Sequence, residues 1–94
     1  MKKSKYLIVT NKGTETVKGI VSDNLGIHKD ENIYSITHLK TGFRVKYTYK
    51  LKHARLIVES LEKSRVPWSL IGLNDSKKYA SIVLDIIRDV ERTF

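Results

Sequence analysis

The chain has no cysteine, a single proline and no long apolar run among its 94 residues. Without cysteine it forms neither disulfides nor thiolate metal sites, so a packed core must supply its stability. No stretch approaches the roughly 20 apolar residues that a membrane-spanning helix needs. The apolar run after the basic N-terminus, Tyr6 to Val9, is too short for a secretion signal. We therefore predict one cytoplasmic domain over residues 1–94, with a short basic tail (residues 1–4) and no membrane association.

Sequence patterns of enzymes and of metal sites are missing too. The three histidines, His28, His38 and His53, match no zinc-binding spacing. The glycines form no phosphate-binding loop, and there is no GxSxG motif of a serine nucleophile. The acidic residues between 22 and 32 do not follow the alternating ligand pattern of a calcium loop. We predict a protein that is not an enzyme and that requires neither a metal ion nor a cofactor.

Acidic residues are absent from one long stretch, between Ile33 and Val58, although the chain has 18 basic and 10 acidic residues and a net charge of +8. Six basic residues lie in that stretch: Lys40, Arg44, Lys46, Lys50, Lys52 and Arg55. The remainder of the chain is nearly balanced. Because a partner responds to the local field, such a concentration of charge favours binding to a polyanion.

Alternating and β-branched residues predict several strands. Lys5 to Thr10 is a nearly continuous apolar run, and a weaker strand is predicted from Thr16 to Ser22. Between Ser22 and Asn32 the pattern disappears, and polar residues with Gly26 indicate a loop of about ten residues.

Two segments, Ile33 to Leu39 and Phe43 to Tyr49, are predicted to form a β-hairpin. The second segment alternates apolar and cationic residues, which places Tyr47 and Tyr49 on the buried face and Arg44 and Lys46 on the outward face. The matching of apolar faces argues against a register that sets Ile36 beside Lys46, and it places Tyr34 with the buried set.

Two amphipathic helices are predicted, at about 50–64 and 75–93, the second with Asp75 as its N-cap. Pro67 ends the first helix, and residues 68–73 are predicted to form a short buried strand, with an apolar linker as the alternative. Trp68, the lone tryptophan, is assigned to the core. The expected fold is α+β, with a small, mostly antiparallel sheet of three to five strands against the two helices.

The function predicted from these features is non-enzymatic binding of nucleic acid, chiefly through its phosphates. The expected contact surface is Arg44 and Lys46 with Lys50, with Lys40 at the hairpin turn and a second surface at Lys52 and Arg55. The alternative is a regulator or inhibitor of the phage or mobile-element type that docks on an acidic protein. Homodimerisation through uncovered apolar surface is a further expectation.

Overall fold

A computed structural model describes residues 1–72 and 74–94 of the chain. The elements are β1 (Lys2–Thr10), β2 (Gly13–Val21), β3 (Leu25–Asp30), β4 (Ile33–His38), β5 (Arg44–Thr48), α1 (Leu51–Glu62) and α2 (Ser76–Glu91). The strands form one open antiparallel sheet in sequence order, and the helices pack on one of its faces, which confirms the predicted α+β class. Neither helix within the described residues combines the length and the apolarity that crossing a bilayer demands.

The core lies between the sheet and the two helices. Its buried side chains on the sheet are Leu25, Ile27 and Ile36, and those on the helices are Ala54, Ile57, Val58, Leu61, Val83 and Ile87. The helical residues recur at three- and four-residue spacing, so each helix presents one apolar stripe to the sheet or to its neighbour. This repeating pattern is why both helices were predictable; α1 and α2 begin and end within three residues of the predicted bounds.

The predicted loop over residues 22–32 is wrong, because Leu25–Asp30 forms β3 at the centre of the sheet. Leu25 and Ile27 point into the core, while Gly26 and His28 alternate with them on the other face. Gly26 leaves room for a neighbouring ring: a Cβ atom there lies 2.7 Å from Cζ of Tyr6, so a larger residue displaces the Tyr6 side chain. A glycine that reads as a loop signal in the sequence therefore accommodates an aromatic ring.

The predicted register of the β4–β5 hairpin is also wrong. Ile36 pairs with Lys46, the arrangement that the apolar pattern disfavoured, and the register shifts between Ile36 and Thr37. The shift inserts Val45 as an extra residue, so Arg44 and Lys46 lie on opposite faces of β5. Lys46 is tolerated on the helical side because its ammonium group reaches Glu91 of α2 at 3.8 Å while its stem covers the edge of the core.

The predicted strand over residues 68–73 is not found where the structure describes it: Trp68–Leu70 is a short 3₁₀ turn, and Leu73 lies outside the described residues. Trp68 is in the core, as predicted, and is 5% exposed. Asp75 occupies the N-cap position of α2, but its carboxylate accepts a hydrogen bond from the Gly72 N–H at 3.0 Å.

The sheet curls strongly on the side away from the helices. The end of β1 approaches the β4–β5 loop, where the Val9 N–H donates to the Gly42 carbonyl at 2.8 Å. The predicted basic tail is part of this curl, since residues 2–4 belong to β1 and pair with the end of β2. The curl turns the helix-free face of the sheet into a concave surface.

Candidate functional site

The helix-free face of the sheet carries a set of polar side chains that we call the polar face: Tyr6, His28, Ser35, Thr37, Arg44 and Tyr47. Strand register brings them together, because His28 is opposite Ser35, which is in turn opposite Tyr47. Thr37 is opposite Arg44 on the far side of the bulge. Cross-strand partners point to the same side of a sheet, so these residues form one surface.

Arg44 is held on this face by three neighbours. Its Nε donates to the Ser35 hydroxyl at 2.8 Å, and its Nη2 lies 3.7 Å from an Asp30 carboxylate oxygen. The guanidinium carbon is 5.8 Å from the centroid of the Tyr47 ring, a cation–π distance. Arg44 is therefore oriented while its charge remains accessible.

Tyr47 and Tyr49 are exposed, 44% and 71% respectively, which overturns the prediction that they are buried. Their rings meet edge to face with centroids 6.0 Å apart. The cause is the bulge at Val45, which places Arg44 and Tyr47, three residues apart, on the same face. No local sequence signal marks this bulge, so alternation alone assigned both tyrosines to the core.

A cleft of about 500 Å³ opens in the concave part of the polar face, between the β1–β2 hairpin and strands β3 to β5. Its walls include the apolar Ile8 and Val17 on one side and His28, Thr37 and Arg44 on the other. Volumes of about 300–1,000 Å³ are typical of small-molecule sites. Arg44 borders both the cleft and Tyr47, so the cleft and the tyrosine pair are continuous.

Burial controls protonation at the base of this face. It lowers the pKa of His28, and Arg44 lowers it further, against the opposing effects of Asp30 and Glu15. Burial also raises the pKa of the Tyr6 phenol far above its usual value. The phenol oxygen lies 3.4 Å from Nδ1 of His28, and the two rings meet edge to face. Near pH 7 both groups are therefore neutral.

The structure divides the predicted first contact surface, Arg44 and Lys46 with Lys50. Arg44 is on the polar face, whereas Lys46 points to the helical side. Lys40 donates to the Ser69 carbonyl at 2.6 Å. Lys50 occupies the N-cap position of α1 with an exposed side chain, and Lys52 and Arg55 are exposed on that helix. Of the predicted first surface, Arg44 and Lys50 remain at the two ends of the segment that carries the exposed tyrosines.

A second cationic surface lies on the β1–β2 hairpin, on the helical side of the sheet beyond the cover of the helices. Lys5 is directly opposite Lys18, and Lys3 precedes them on the same face; we call this group the lysine face. None of the ion pairs found among residues 1–72 and 74–94 involves these three lysines. In the sequence Lys3 belongs to the predicted basic tail and Lys5 begins the first predicted strand, but only the strand register sets Lys18 beside Lys5.

His38 is a second histidine whose protonation is set by the fold. It is buried in the core, where Nε2 donates to the Trp68 carbonyl at 2.9 Å and Nδ1 lies 3.0 Å from the Thr41 hydroxyl. Burial lowers its pKa, with the bond to Trp68 acting in the opposite direction. The neutral form satisfies both contacts, since the Thr41 hydroxyl then donates to Nδ1.

We expect the free energy of unfolding to fall as the pH drops below about 6.5, the usual pKa of histidine. His28 and His38 have lowered pKa values in the folded state. As the pH falls, the unfolded state therefore binds protons at a higher pH than the folded state does, and this stabilises the unfolded state relative to the folded one. Each histidine contributes a slope of up to about 1.4 kcal/mol per pH unit until it is protonated in the folded protein as well. Urea denaturation between about pH 5 and pH 8 measures this slope.

The His28→Gln and His38→Gln variants serve as controls for that slope. Each is expected to flatten the curve of unfolding free energy against pH, whatever its effect at pH 8. An unchanged slope in both variants would contradict the assignment.

Glu62 contributes to the pH dependence separately, at lower pH. Burial raises the pKa of its carboxyl group, but hydrogen bonds from Ser22 and Asn24 outweigh that effect and lower the pKa. Its stabilisation is lost only as the pH falls through that lowered value.

The chain was compared with family models, with curated proteins and with solved structures. No family model matches it, and neither does any curated protein or solved structure. The polar face and the lysine face are therefore the features of this chain that indicate a function.

Proposed function

We propose that this protein binds single-stranded nucleic acid, with bases stacked on Tyr47 and Tyr49 and phosphates contacting Arg44 and Lys50. The observation that carries the proposal is the exposed tyrosine pair beside an oriented arginine on an open sheet face. Proteins that bind single strands combine aromatic platforms with a basic track along the backbone. This differs from the sequence-based hypothesis, in which phosphates provided nearly all the contacts.

The exposed rings of two neighbouring tyrosines leave apolar surface in contact with water, which is unfavourable, and a ligand that covers the rings removes that contact. Large aromatic side chains are usually buried, yet Tyr47 and Tyr49 present much of their surface to water next to a guanidinium group. A base that stacks on such a ring covers apolar surface and leaves the phenol hydroxyl solvated. The platform is sequence-tolerant, because every base has a π-face.

Charge supports the same class of ligand. The net charge of +8 draws a polyanion towards the protein from any direction. The lysine face adds an unneutralised cross-strand pair, Lys5 and Lys18, whose mutual repulsion an anion relieves. We therefore expect affinity to fall with salt, with a logarithmic slope near −0.7 for each phosphate neutralised on a single strand.

We expect Tyr47→Ala/Tyr49→Ala to weaken binding to a single strand of about ten nucleotides by about tenfold or more, since each base–aromatic stack contributes about 1–3 kcal/mol. Fluorescence anisotropy with a labelled strand measures the affinity at several salt concentrations. The substitution leaves the charge unchanged, so the salt slope is expected to persist.

The matched control is Tyr47→Phe/Tyr49→Phe, which keeps both rings and removes only the hydroxyl groups. It is expected to bind like the wild type, and a duplex of the same sequence is expected to bind more weakly because its bases are already stacked. Equal loss in the alanine and phenylalanine pairs, or a preference for the duplex, would refute stacking as the basis of binding.

A second candidate function is docking on an acidic protein, and β1 is the observation that favours it. β1 is an edge strand with exposed Leu7 and Val9 beside Lys3 and Lys5. An extended acidic segment that pairs with this edge satisfies its free backbone groups and its charges. Capture of one stoichiometric protein that survives nuclease treatment, together with no affinity for single strands, would favour this candidate over the first.

A further inference from the structure

The cleft on the polar face has no role in stacking, yet it contains polar atoms in side chains that are otherwise buried. His28 is 6% exposed and Thr37 is 1% exposed, and both line the cleft. Within the described residues no fully buried side-chain nitrogen or oxygen lacks a hydrogen-bond partner. The hydrogen bonds found there use neither Nε2 of His28 nor the Thr37 hydroxyl, so the residual accessible surface of these atoms opens into the cleft.

The chemistry of these atoms follows from their neighbours. The Tyr6 phenol stays protonated and its oxygen lies 3.4 Å from Nδ1 of His28, a contact in which either group can be the donor. A neutral imidazole that accepts at Nδ1 carries its own hydrogen at Nε2. The cleft therefore presents Nε2 of His28, a donor or an acceptor according to the tautomer, next to the hydroxyl of Thr37, and a ligand that fits must offer a polar edge.

The walls of the cleft restrict the ligand further. Ile8 and Val17 form an apolar side opposite the polar atoms, which suits a flat group with apolar faces and a polar edge. The ionic groups around it are mixed, Glu15 and Asp30 against Lys29 and Arg44, so the cleft does not select for a charged group inside. Of these charged groups, Arg44 lies at the border with Tyr47, where it is within reach of a phosphate attached to the group in the cleft.

We propose that the cleft receives one unstacked nucleobase of the bound strand and hydrogen-bonds its polar edge through Nε2 of His28 and the Thr37 hydroxyl. This inference rests on the proposed function, because the neighbouring bases stack on Tyr47 and Tyr49. Every base presents such an edge, with carbonyl oxygens in thymine, uracil, cytosine and guanine and ring nitrogens in adenine as acceptors. The cleft thus gives a platform that tolerates every base one position at which a base is held by its polar edge.

The test combines Thr37→Val with strands that lack one base. A thymine strand of about ten nucleotides is prepared with a single abasic position that is moved along it. In the wild type, one abasic position is expected to cost about three- to tenfold in affinity beyond the others, the loss of one hydrogen-bonded base. Thr37→Val is expected to weaken binding to the intact strand by about the same factor and to leave binding to that abasic strand unchanged.

Thr16→Val is the matched control, since Thr16 is exposed on the opposite face of β2 and the same methyl-for-hydroxyl change is made there. It is expected to bind both strands like the wild type. Should Thr37→Val fail to fold, the ¹⁵N signal of His28 Nε2 in the wild type replaces it. That signal is expected to shift with the intact strand and not with the abasic one.

Three outcomes would overturn the inference, and they are distinguishable. If tyrosine-dependent binding persists while Thr37→Val and the abasic scan show no coupling, the cleft is not a base site and the stacking function stands. If the protein binds no single strand at all, the proposed function fails and the base site fails with it. An imidazole signal unmoved by a strand that does bind would likewise exclude the base site.

Discussion

Trp68→Ala is expected to lower the free energy of unfolding by about 3–5 kcal/mol, the range for removing a buried tryptophan side chain. The indole packs against His38 with ring centroids 5.2 Å apart, and its Nε1–H donates to the Leu61 carbonyl at 3.0 Å. That carbonyl lies in the last turn of α1 and also accepts from the Ser64 backbone N–H at 3.2 Å and from the Ser64 hydroxyl, so the indole is one of three donors at this helix end. The residue therefore fills the core and caps a helix at the same time.

Urea denaturation followed by circular dichroism measures the loss, and two variants separate its parts. Trp68→Phe keeps most of the ring packing and removes the indole donor, so we expect a smaller loss of about 1–2 kcal/mol. Leu70→Ala changes a largely exposed residue of the same 3₁₀ turn and is expected to stay within about 0.5 kcal/mol. A loss of similar size at Leu70 and Trp68 would contradict the assignment of Trp68 to the core.

Gly19→Ala is expected to destabilise the protein by about 3 kcal/mol, the upper part of the usual range for overpacking. A Cβ atom at this position lies 2.1 Å from the Ile27 carbonyl oxygen and 3.1 Å from the His28 Cβ. The first contact involves backbone, so β2 and β3 must separate to relieve it. Their ladder contains only the pairs Ile20–Ile27 and Val21–Gly26, which makes it the weakest joint of the sheet.

Because that joint attaches the β1–β2 hairpin, the variant is expected to lose the cleft while retaining the helical core. Hydrogen exchange should show faster exchange at β1 and β2 than at α1. Gly72→Ala is the control, since a Cβ atom there meets only the Asp75 carboxylate among the described residues, at an ordinary 3.5 Å. Uniform loss of protection across the whole chain would show that the hairpin and the core do not separate.

The helices were predictable because their information is local. Ala54, Ile57, Val58 and Leu61 recur at helical spacing, and all four are buried as that pattern requires. Pro67 follows α1 closely, so the end of the helix was also readable. The polar flank of α1 was less predictable, since Glu62 binds the Ser22–Leu25 turn through Ser22 and Asn24. The sequence of the helix does not predict that contact.

The sheet was predicted less well because its information is not local. β3 pairs with β2 on one side and with β4 on the other. Its sequence shows only two alternating apolar residues, Leu25 and Ile27, and Gly26 between them and the polar residues that follow indicate a loop instead. The bulge at Val45 cannot be read from alternation, which treats each strand as regular. One inserted residue reversed the faces assigned to Lys46 and Tyr47, and with them the expected contact surface.

The sequence by itself determined the α+β class, both helices, the β4–β5 hairpin and the concentration of positive charge, because periodicity and composition are properties of neighbouring residues. The tertiary structure alone decided which side chains share a surface. It separated Arg44 from Lys46, exposed Tyr47, set Lys18 beside Lys5 and enclosed His28 with Thr37 in one cleft. The physical reason is that register and curl are set by packing between distant segments, and a shift of one residue moves a side chain to the other face.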